Sequence, residues 1–358
     1  MSGHLFVDIS SHGFGHLAQA APVLDALARI RPGLRLTVRS GLPPEKLRSR
    51  IGAPFEHLPG RSDFGFVMVD AMRVDRAATA EAYRACHADW GNRVAVEADF
   101  LRGAAPDLVF TDVAYLPLAG AARARIPALS MCSLNWADLF IHFFGGEAWA
   151  GSIHEQILEA YRDAECFIRP TPAMPMPDLP NTRAVAPVAS LGRDCRARLR
   201  ERIGAAADER IALAAFGGFD KDLRAAAWPV TPGVRWLVPE SWGVARGDMA
   251  ALEPLRMNFT DLLRTVDAVL AKPGYGTFTE AACNGAPVLY VRRDDWPEQD
   301  CLIEWLKANA RCREVSLAAL MRGELAEDLE NLWRQAKRRT PDAGGAEEAA
   351  RLIAGYLP

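Results

Sequence analysis

Short apolar runs alternate with amphipathic stretches of helical spacing along the first half of this sequence. The apolar runs are HLFVDI at 4–9, LRLTVRS at 34–40, DLVFTD at 107–112 and PALSM at 127–131, and helical stretches occupy 17–30 and 116–126. Buried strands separated by amphipathic helices are typical of a mostly parallel sheet with helices on both faces. The alternation therefore predicts an α/β domain in this half of the chain.

A proline-rich segment separates this region from a second one with the same alternation. Residues 170–187 contain six prolines, and proline neither continues a helix nor fits a central strand. Apolar runs resume at 210–218, 234–240, 266–276 and 286–293, and the sequence beyond Glu314 has helical spacing. The segment is therefore predicted to be an interdomain linker.

The length of the chain fits two domains of ordinary size, since 358 residues exceed what one hydrophobic core usually supports. We predict two Rossmann-like domains whose parallel sheets face a cleft. The predicted bounds are 1–170 for the N-terminal domain, 171–187 for the linker, 188–340 for the C-terminal domain and 341–358 for a final helix.

Charge and cysteine usage exclude several classes of function. The 42 basic and 45 acidic residues give a formal net charge of -3, which provides no overall basic field for binding nucleic acid. The seven cysteines are scattered and never form a C-x-x-C pair, so neither a disulfide framework nor a zinc site is indicated. Together with a start that lacks a signal-peptide pattern, this favours a cytoplasmic protein.

The most apolar stretch, at 131–151, is interrupted by Asn135, Asp138, His142 and Glu147, which argues against a membrane span. It could line a ligand pocket, touch a lipid surface or belong to the buried core. We favour the core, so contact with a membrane surface is not our preferred prediction.

Two glycines and a histidine occupy the junction between the first predicted strand and the first helix. Ligands of doubly wound sheets bind beyond the carboxyl ends of the strands, where Gly13 and Gly15 let the backbone turn sharply. The spacing is not the G-x-G-x-x-G dinucleotide fingerprint. His16 would begin the helix with a side chain that accepts a proton near neutral pH, although a histidine there could also simply cap or pack the helix.

Asp112 ends a predicted strand at the same edge of the same sheet. A carboxylate there could orient the His16 imidazole and stabilise its protonated form, as the partner of a catalytic base does in many active sites. We therefore predict that His16 and Asp112 form a catalytic pair beside the loop of Gly13 and Gly15.

A second glycine pair, Gly217 and Gly218, directly follows a predicted strand of the second region. Such a turn allows a phosphate to approach backbone N–H groups closely, but a plain tight turn has the same sequence. Asp220 and Asp222 form a D-x-D pair, which is a common coincidence in loops. We predict no metal site.

The segment 271–300 carries the densest set of candidate binding residues. Gly274 and Gly276 are expected to form a loop and Thr277 to cap the following helix, whose positive N-terminal end suits a diphosphate. Glu280, one turn into that helix, could accept hydrogen bonds from ribose hydroxyls. The next strand ends in a polar cluster suited to a sugar or to a solvated loop: Arg292, Arg293, Asp294, Asp295, Glu298, Gln299 and Asp300.

Taken together, these segments resemble glycosyltransferases of the two-Rossmann-domain GT-B fold, particularly the branch of the peptidoglycan N-acetylglucosaminyltransferase MurG and the galactolipid synthases. More specifically, the chain is similar to the glycosyltransferase-like N-terminal region of plant L-arabinokinases. The resemblance rests on HGFGH at 12–16, DAMRVDR at 70–76, DLVFTDV at 107–113, FIRP at 167–170, KPGYGTFTEA at 272–281 and VRRDDWPEQ at 291–299.

The resemblance implies that His16 occupies the position of the general base and that the second domain binds a nucleotide-sugar donor. The implied donor contacts are Gly274 and Gly276 near the diphosphate, Glu280 on the ribose, and Glu298 and Gln299 on the sugar. Family likeness also favours a UDP-sugar and inversion at the anomeric carbon.

These observations predict a hexosyltransferase-type enzyme that moves a sugar from a nucleotide diphosphate sugar to a hydroxyl acceptor. Lys272 or Arg293 would stabilise the leaving diphosphate, so we predict a metal-independent enzyme without a cofactor. Two other functions share the donor site: a non-catalytic nucleotide-sugar sensor and a nucleotide-sugar epimerase. The acceptor and the oligomeric state stay open.

Overall fold

The computed structural model describes residues 3–70, 72–216 and 223–358, which form two parallel β-sheets. The first sheet contains β1 (His4–Ile9), β2 (Arg35–Ser40), β3 (Glu56–Pro59), β4 (Leu108–Asp112), β5 (Ala128–Met131), β6 (Cys166–Pro170) and β7 (Thr182–Val185). The second contains β8 (Arg210–Ala215), β9 (Val234–Val238), β10 (Met249–Ala251), β11 (Ala268–Ala271), β12 (Val288–Tyr290) and β13 (Cys312–Glu314).

Neighbouring strands are parallel throughout both sheets. The strand orders are β3-β2-β1-β4-β5-β6-β7 and β10-β9-β8-β11-β12-β13. In each sheet the order reverses beside the first strand, which is the doubly wound arrangement of Rossmann-like domains. The predicted α/β architecture with two parallel sheets is confirmed.

Helices separate the strands. In the first half they are α1 (Phe14–Ile30), α2 (Pro44–Arg50), α3 (Arg76–His87), α4 (Trp90–Ala104), α5 (Leu116–Ala124), α6 (Trp136–Phe144) and α7 (Ala150–Arg162). In the second half they are α8 (Arg196–Ile203), α9 (Phe259–Thr265), α10 (Tyr275–Asn284), α11 (Glu298–Asn309), α12 (Leu317–Arg322), α13 (Ala326–Arg334) and α14 (Gly345–Ala354).

Strand β1 illustrates why the central strands are continuously apolar. Leu5, Val7 and Ile9 pack in the cluster that contains α1, whereas Phe6 packs in a separate cluster with residues of α5, α6 and α7. Side chains of a strand alternate between its two faces. Both faces of this sheet are therefore buried under helices.

The proline-rich segment contributes to the first sheet. Thr182–Val185, inside the region predicted as a linker, forms β7 and pairs with β6 at the edge of the sheet. An edge strand tolerates neighbouring prolines, because one of its sides needs no ladder hydrogen bonds. The first sheet thus extends beyond Pro170.

The final helix, α14, returns to the first domain. Arg29 of α1 donates a hydrogen bond to Glu347 at 2.9 Å, and Ile353 is buried in the same apolar cluster as Leu24 and Leu27 of α1. The first domain is thus built from two segments that are far apart in the sequence. Within the described ranges, no helix combines the length and the apolar character needed to cross a bilayer.

Candidate active site

The N-termini of α1 and α10 meet where the two sheets face each other, a region we call the domain junction. Gly13 and Gly274 are the N-cap residues, both in extended backbone conformation with φ of −170° and −167°. Neither helix has a side-chain cap within the described part of the chain. A β-carbon on either glycine would have no atom within 4 Å. Both helices therefore present open N–H groups and partial positive charge.

The two helices approach each other closely at Gly276. A β-carbon on Gly276 would lie 2.8 Å from the β-carbon of Ala18 and 3.9 Å from the α-carbon of Gly15. Because 2.8 Å is well inside van der Waals contact, only glycine allows this approach.

The loop expected through Gly276 and the helix cap expected at Thr277 are not present in the structure. Helix α10 begins at Tyr275, so Gly276 and Thr277 are its second and third residues. The cause is Gly274, which already has the extended conformation of an N-cap. Gly217 and Gly218, and also Asp220 and Asp222, lie outside the described residues.

His16 and Asp112 are in direct contact at the junction. Adjacent parallel strands β1 and β4 end at the same edge of the sheet, which brings the first turn of α1 beside Asp112. His16 Nδ1 donates a hydrogen bond to Asp112 Oδ1 at 2.7 Å, and both side chains are buried. His16 Nε2 has no hydrogen-bond partner in the described chain. Nε2 is thus the nitrogen available to a ligand.

The environment of the pair favours a bound proton. Burial alone would lower the pKa of His16, but the hydrogen-bonded Asp112 carboxylate outweighs it and holds that pKa well above its usual range. Burial raises the pKa of Asp112, and His16 opposes that rise. The imidazolium form of His16 is therefore strongly stabilised.

Cys132, which follows β5, also contacts this pair and was not identified from the sequence. Its Sγ lies 3.8 Å from His16 Nδ1 and 3.6 Å from Gln19 Nε2. Since thiol and carboxylate both face Nδ1, Cys132 is not placed on the Nε2 side, where a nucleophile activated by His16 would lie. No sequence motif marks Cys132; only the adjacency of β4 and β5 brings it here.

A second group missed by the sequence analysis is Asp63, from the loop after β3. It accepts hydrogen bonds from Trp136 Nε1 at 2.9 Å and from Ser10 Oγ at 3.0 Å. Burial raises its pKa to about 6, the Asp8 carboxylate adds to the rise, and His16 opposes it. A carboxyl that titrates near neutral pH therefore lies close to His16.

His12, the other histidine of the glycine-rich turn, is held neutral. Its ring lies parallel to that of Trp296 with centroids 5.9 Å apart, and its buried Nε2 has no partner among the described residues. Burial lowers its pKa to about 3, and the charges of His16, Arg293 and Lys272 add to the effect. His12 is thus a neutral hydrogen-bonding group in a region of positive charge.

Lys272 and Arg293 supply that positive charge from the second domain. Burial lowers the pKa of Lys272 to about 8, with a contribution from Arg293, and burial lowers the pKa of Arg293 to about 10. The guanidinium carbon of Arg293 lies 4.0 Å from the Trp296 ring centroid. Its Nε is buried without a hydrogen-bond partner, and no carboxylate within the described ranges forms an ion pair with it. A buried cation that forms no direct ion pair is suited to an anionic ligand.

Gln299, predicted to contact a sugar, fixes the backbone beside this cation. Its Oε1 accepts from the Arg293 N–H at 2.9 Å, and its Nε2 donates to the Arg293 carbonyl at 3.0 Å. Arg292, by contrast, points to an exposed ion pair with Asp300 at 2.7 Å. The two consecutive arginines therefore have different environments.

Glu298 and Glu280 both make contacts across the junction. Glu298 Oε1 accepts from Ser133 Oγ of the first domain at 2.6 Å, and Oε2 accepts from Trp296 Nε1 at 3.1 Å. Glu280 forms an ion pair with Arg50 of α2. Burial raises the pKa of Glu280, and Arg50 opposes that rise. In this conformation, both predicted donor contacts join the two domains.

The described part of the motif DAMRVDR before α3, Asp70 and Met72 to Asp75, belongs to a segment that reaches from the first domain into the second. Met68 and Val74 form an antiparallel bridge, and Met72 is buried in the apolar cluster of the second domain that includes Trp228. The Glu298 carboxylate and, to a smaller extent, that of Asp70 oppose the fall in pKa that burial imposes on Lys272 and Arg293. The segment thus carries a carboxylate toward the cationic region.

Two parallel Rossmann-like domains that meet at helix N-termini define the GT-B class of fold. The structure has a TM-score of 0.66 to the calicheamicin glycosyltransferase at 18% identity, covering 99% of this chain and 98% of that one. The TM-score to a UDP-glucosyltransferase from Polygonum tinctorium is 0.61 at 15% identity, covering 99% and 98%. A UDP-N-acetylglucosamine 2-epimerase gives 0.58 at 14% identity, covering 99% and 97%. The chain therefore has the GT-B fold.

Two curated proteins are similar in sequence. L-arabinokinase of Arabidopsis thaliana is 27% identical over 96% of this chain. An uncharacterized glycosyltransferase of Methanopyrus kandleri is 32% identical over 28% of this chain. The matches span 33% and 30% of the lengths of those relatives. No protein-family model matches the sequence.

Proposed function

We propose that the protein transfers a sugar from a nucleotide diphosphate sugar to a hydroxyl group of an acceptor. The observation that carries the proposal is the buried His16–Asp112 pair, whose Nε2 is unpartnered beside two open helix N-termini. A base next to an anion-binding site is what such a transfer requires. The proposed domains are 1–170, 171–187, 188–340 and 341–358, where the segment 171–187 joins the domains and also adds β7 to the first sheet. A cytoplasmic setting is proposed for a chain whose seven cysteines are free.

In the proposed mechanism, neutral His16 accepts the proton of the acceptor hydroxyl at Nε2. The oxygen then attacks the anomeric carbon while the bond to the diphosphate breaks. Asp112 holds Nδ1 in its protonated tautomer and stabilises the imidazolium that forms. Gly13 and Gly15 leave space in front of α1 for the acceptor.

The second domain would stabilise the negative charge that develops on the leaving diphosphate. The N–H groups of α10 at Gly274, Gly276 and Thr277 and the cations of Lys272 and Arg293 act on its oxygens. With this positive charge available, the proposed reaction needs no metal. The proposed donor set is completed by Gly217, Gly218, Glu280, Glu298 and Gln299.

Binding of the donor would require exchanges at the junction. Glu280 would trade Arg50 for the ribose hydroxyls, and Glu298 would trade Ser133 for the sugar. Gln299 would act mainly by holding the Arg293 backbone, to which it already hydrogen bonds twice.

We further propose a UDP-hexose donor and inversion of the anomeric configuration. The donor is suggested by neighbours with the same fold whose names specify UDP-sugars. Inversion follows if a base on the acceptor side drives a single displacement opposite the leaving group.

The second candidate is epimerisation of a nucleotide sugar, since an epimerase shares the fold with a TM-score of 0.58. Incubation of the protein with donor alone separates the two, because an epimerase forms a new sugar nucleotide without any acceptor. A transferase leaves the donor intact until an acceptor is added.

Thermal unfolding with UDP, GDP, TDP, ADP and their sugar conjugates tests the donor site. A ligand at one hundred times its dissociation constant adds about 2.7 kcal/mol of stability. We expect one nucleotide to stabilise the protein and then to support transfer to hydroxyl acceptors. Stabilisation without consumption of the donor by any acceptor would favour a sensor, and no stabilisation by any nucleotide would refute the donor site.

A further inference from the structure

A nitrogen, an oxygen and a sulfur atom that can each bind a metal lie close together in the interior of the first domain. His16 Nδ1, a carboxylate oxygen of Asp112 and Cys132 Sγ all lie within 4.8 Å of one another. Nδ1 is 2.7 Å from Asp112 Oδ1 and 3.8 Å from Cys132 Sγ. Imidazole nitrogen, carboxylate oxygen and thiolate sulfur are the three donor types that Zn²⁺ takes from proteins.

The spacing of these atoms is close to that around a zinc ion. With metal–ligand distances of about 2.0–2.3 Å and tetrahedral angles, ligand atoms lie about 3.3–3.6 Å apart. The two separations from His16 Nδ1, 2.7 and 3.8 Å, lie on either side of this range, and the third is at most 4.8 Å. Small side-chain shifts would therefore form three ligand bonds.

An independent observation indicates unused binding capacity at the same place. Asp112 Oδ2 is buried and has no hydrogen-bond partner in the described residues, which is uncommon for a buried carboxylate oxygen. Gln19 supports the opposite side, because its Nε2 contacts Cys132 Sγ at 3.6 Å and its Oε1 accepts the Ser133 N–H at 3.0 Å. Such outer contacts orient ligands in metal sites.

We infer that His16, Asp112 and Cys132 form a binding site for Zn²⁺ and that occupation of this site reversibly inhibits the protein. The ion takes the place of the protons on His16 Nδ1 and on the Cys132 thiol, and the protons released go to water.

Inhibition follows from the chemistry of imidazole and rests on the proposed function. Once the metal occupies Nδ1, the remaining ring proton is on Nε2. Nε2 then has no lone pair to accept a proton from an acceptor hydroxyl. The metal therefore blocks the base without entering the donor site.

Cobalt provides a direct probe that does not depend on activity. We expect one Co²⁺ per chain and a thiolate-to-cobalt charge-transfer absorption. The absorption should disappear in Cys132→Ser and persist in Cys166→Ser. Cys166 is a matched control, since it is buried on the neighbouring strand β6 opposite Leu129, three residues before Cys132.

Zinc titration of the transfer reaction gives the second readout. Relative to each variant's own metal-free rate, the inhibitory Zn²⁺ concentration should rise about tenfold or more in Cys132→Ser and stay unchanged in Cys166→Ser. If Cys132→Ser does not fold, Asp112→Asn and His16→Gln replace it in the cobalt titration, where both should weaken binding.

The outcomes separate this inference from the proposed function. Cobalt absorption that persists in Cys132→Ser, or zinc inhibition equal in both cysteine variants, overturns the metal site and leaves transfer intact. A Cys132-dependent cobalt signal in a protein that transfers no sugar supports the metal site and refutes the transferase.

Discussion

His16 is a residue whose two nitrogens have different tasks. Nδ1 is committed to Asp112 at 2.7 Å, and Nε2 is left to the junction. The same carboxylate that orients the ring also raises the His16 pKa well above the ordinary 6.5 against the effect of burial. The Asp112 carboxylate therefore orients the His16 ring, but it also means that His16 is neutral, and able to act as a base, only at higher pH.

We predict that kcat/KM for transfer rises with pH and reaches half its maximum above pH 6.5, since only neutral His16 accepts a proton. Asp112→Asn removes the stabilising charge, so that midpoint should move to lower pH while the plateau falls about a hundredfold or more. Initial rates from pH 5 to 10 measure both effects. Donor affinity, measured by calorimetry, should stay the same; a midpoint that does not move would contradict the role of Asp112.

We predict that Arg293 contributes to nucleotide affinity but not to the stability of the ligand-free protein. Its guanidinium is buried and forms no direct ion pair with a carboxylate. Arg293→Met should therefore leave the free energy of unfolding unchanged or raise it. Nucleotide affinity should fall about tenfold to a hundredfold, because hydrogen bonds to a charged group are lost. Denaturant unfolding and nucleotide titration measure the two sides. Arg292→Met is the matched control: this half-exposed neighbour should leave affinity unchanged, and equal losses in both variants would refute the assignment.

At the scale of elements, the crossing of α1 and α10 depends on Gly276. Gly276→Ala places a methyl group 2.8 Å from the Ala18 β-carbon, which should cost about 1–3 kcal/mol of unfolding free energy through overpacking. Adding Ala18→Gly should recover most of that loss. Gly274→Ala, with nothing within 4 Å of its β-carbon, should change stability little. Failure of the Ala18→Gly rescue would mean that another contact sets the crossing.

Elements also show where local sequence signals mislead. The polar residue Thr277 suggested a helix cap, but the chain enters α10 at Tyr275 because Gly274 has the N-cap conformation. Prolines suggested a linker, yet Thr182–Val185 pairs as an edge strand. In both cases the local structure depends on the backbone conformation of neighbouring residues. Amino-acid composition does not reveal that conformation.

At the scale of the whole molecule, an ion pair joins the domains. Glu280 is 2% exposed and Arg50 is 21% exposed. We predict that Arg50→Met lowers the free energy of unfolding by about 3 kcal/mol at neutral pH, since it leaves a buried carboxylate alone. Burial raises the Glu280 pKa, so the loss should shrink as pH falls and Glu280 takes up a proton.

Urea unfolding at pH 5 and pH 8 measures this dependence. The double variant Arg50→Met, Glu280→Gln should lose less stability than Arg50→Met and show little pH dependence. Arg29→Met removes an exposed ion pair with Glu347 and should cost about 1 kcal/mol or less. A loss in Arg50→Met that is the same at both pH values would contradict a buried, charged Glu280.

The sequence allowed the fold to be predicted because the period of apolar residues reports burial on one face or two. It also allowed His16 and Asp112 to be considered together, since strands β1 and β4 of a parallel sheet end at one edge; their catalytic roles stay predictions. Cys132, Asp63 and Arg50 could not be found this way. Their positions depend on strand adjacency, on loop conformation and on contacts between domains, none of which leaves a periodic signal.

Helix α14 has a consequence for the order in which the protein is made. Its residues pack on α1, and the Ala186 N–H beside β7 donates to Glu348 at 2.8 Å. During synthesis, α1 leaves the ribosome more than three hundred residues before its partner α14. The nascent first domain therefore keeps an apolar surface uncovered until α14 has been made, and ribosome-bound chains halted before Gly345 should remain dependent on chaperones.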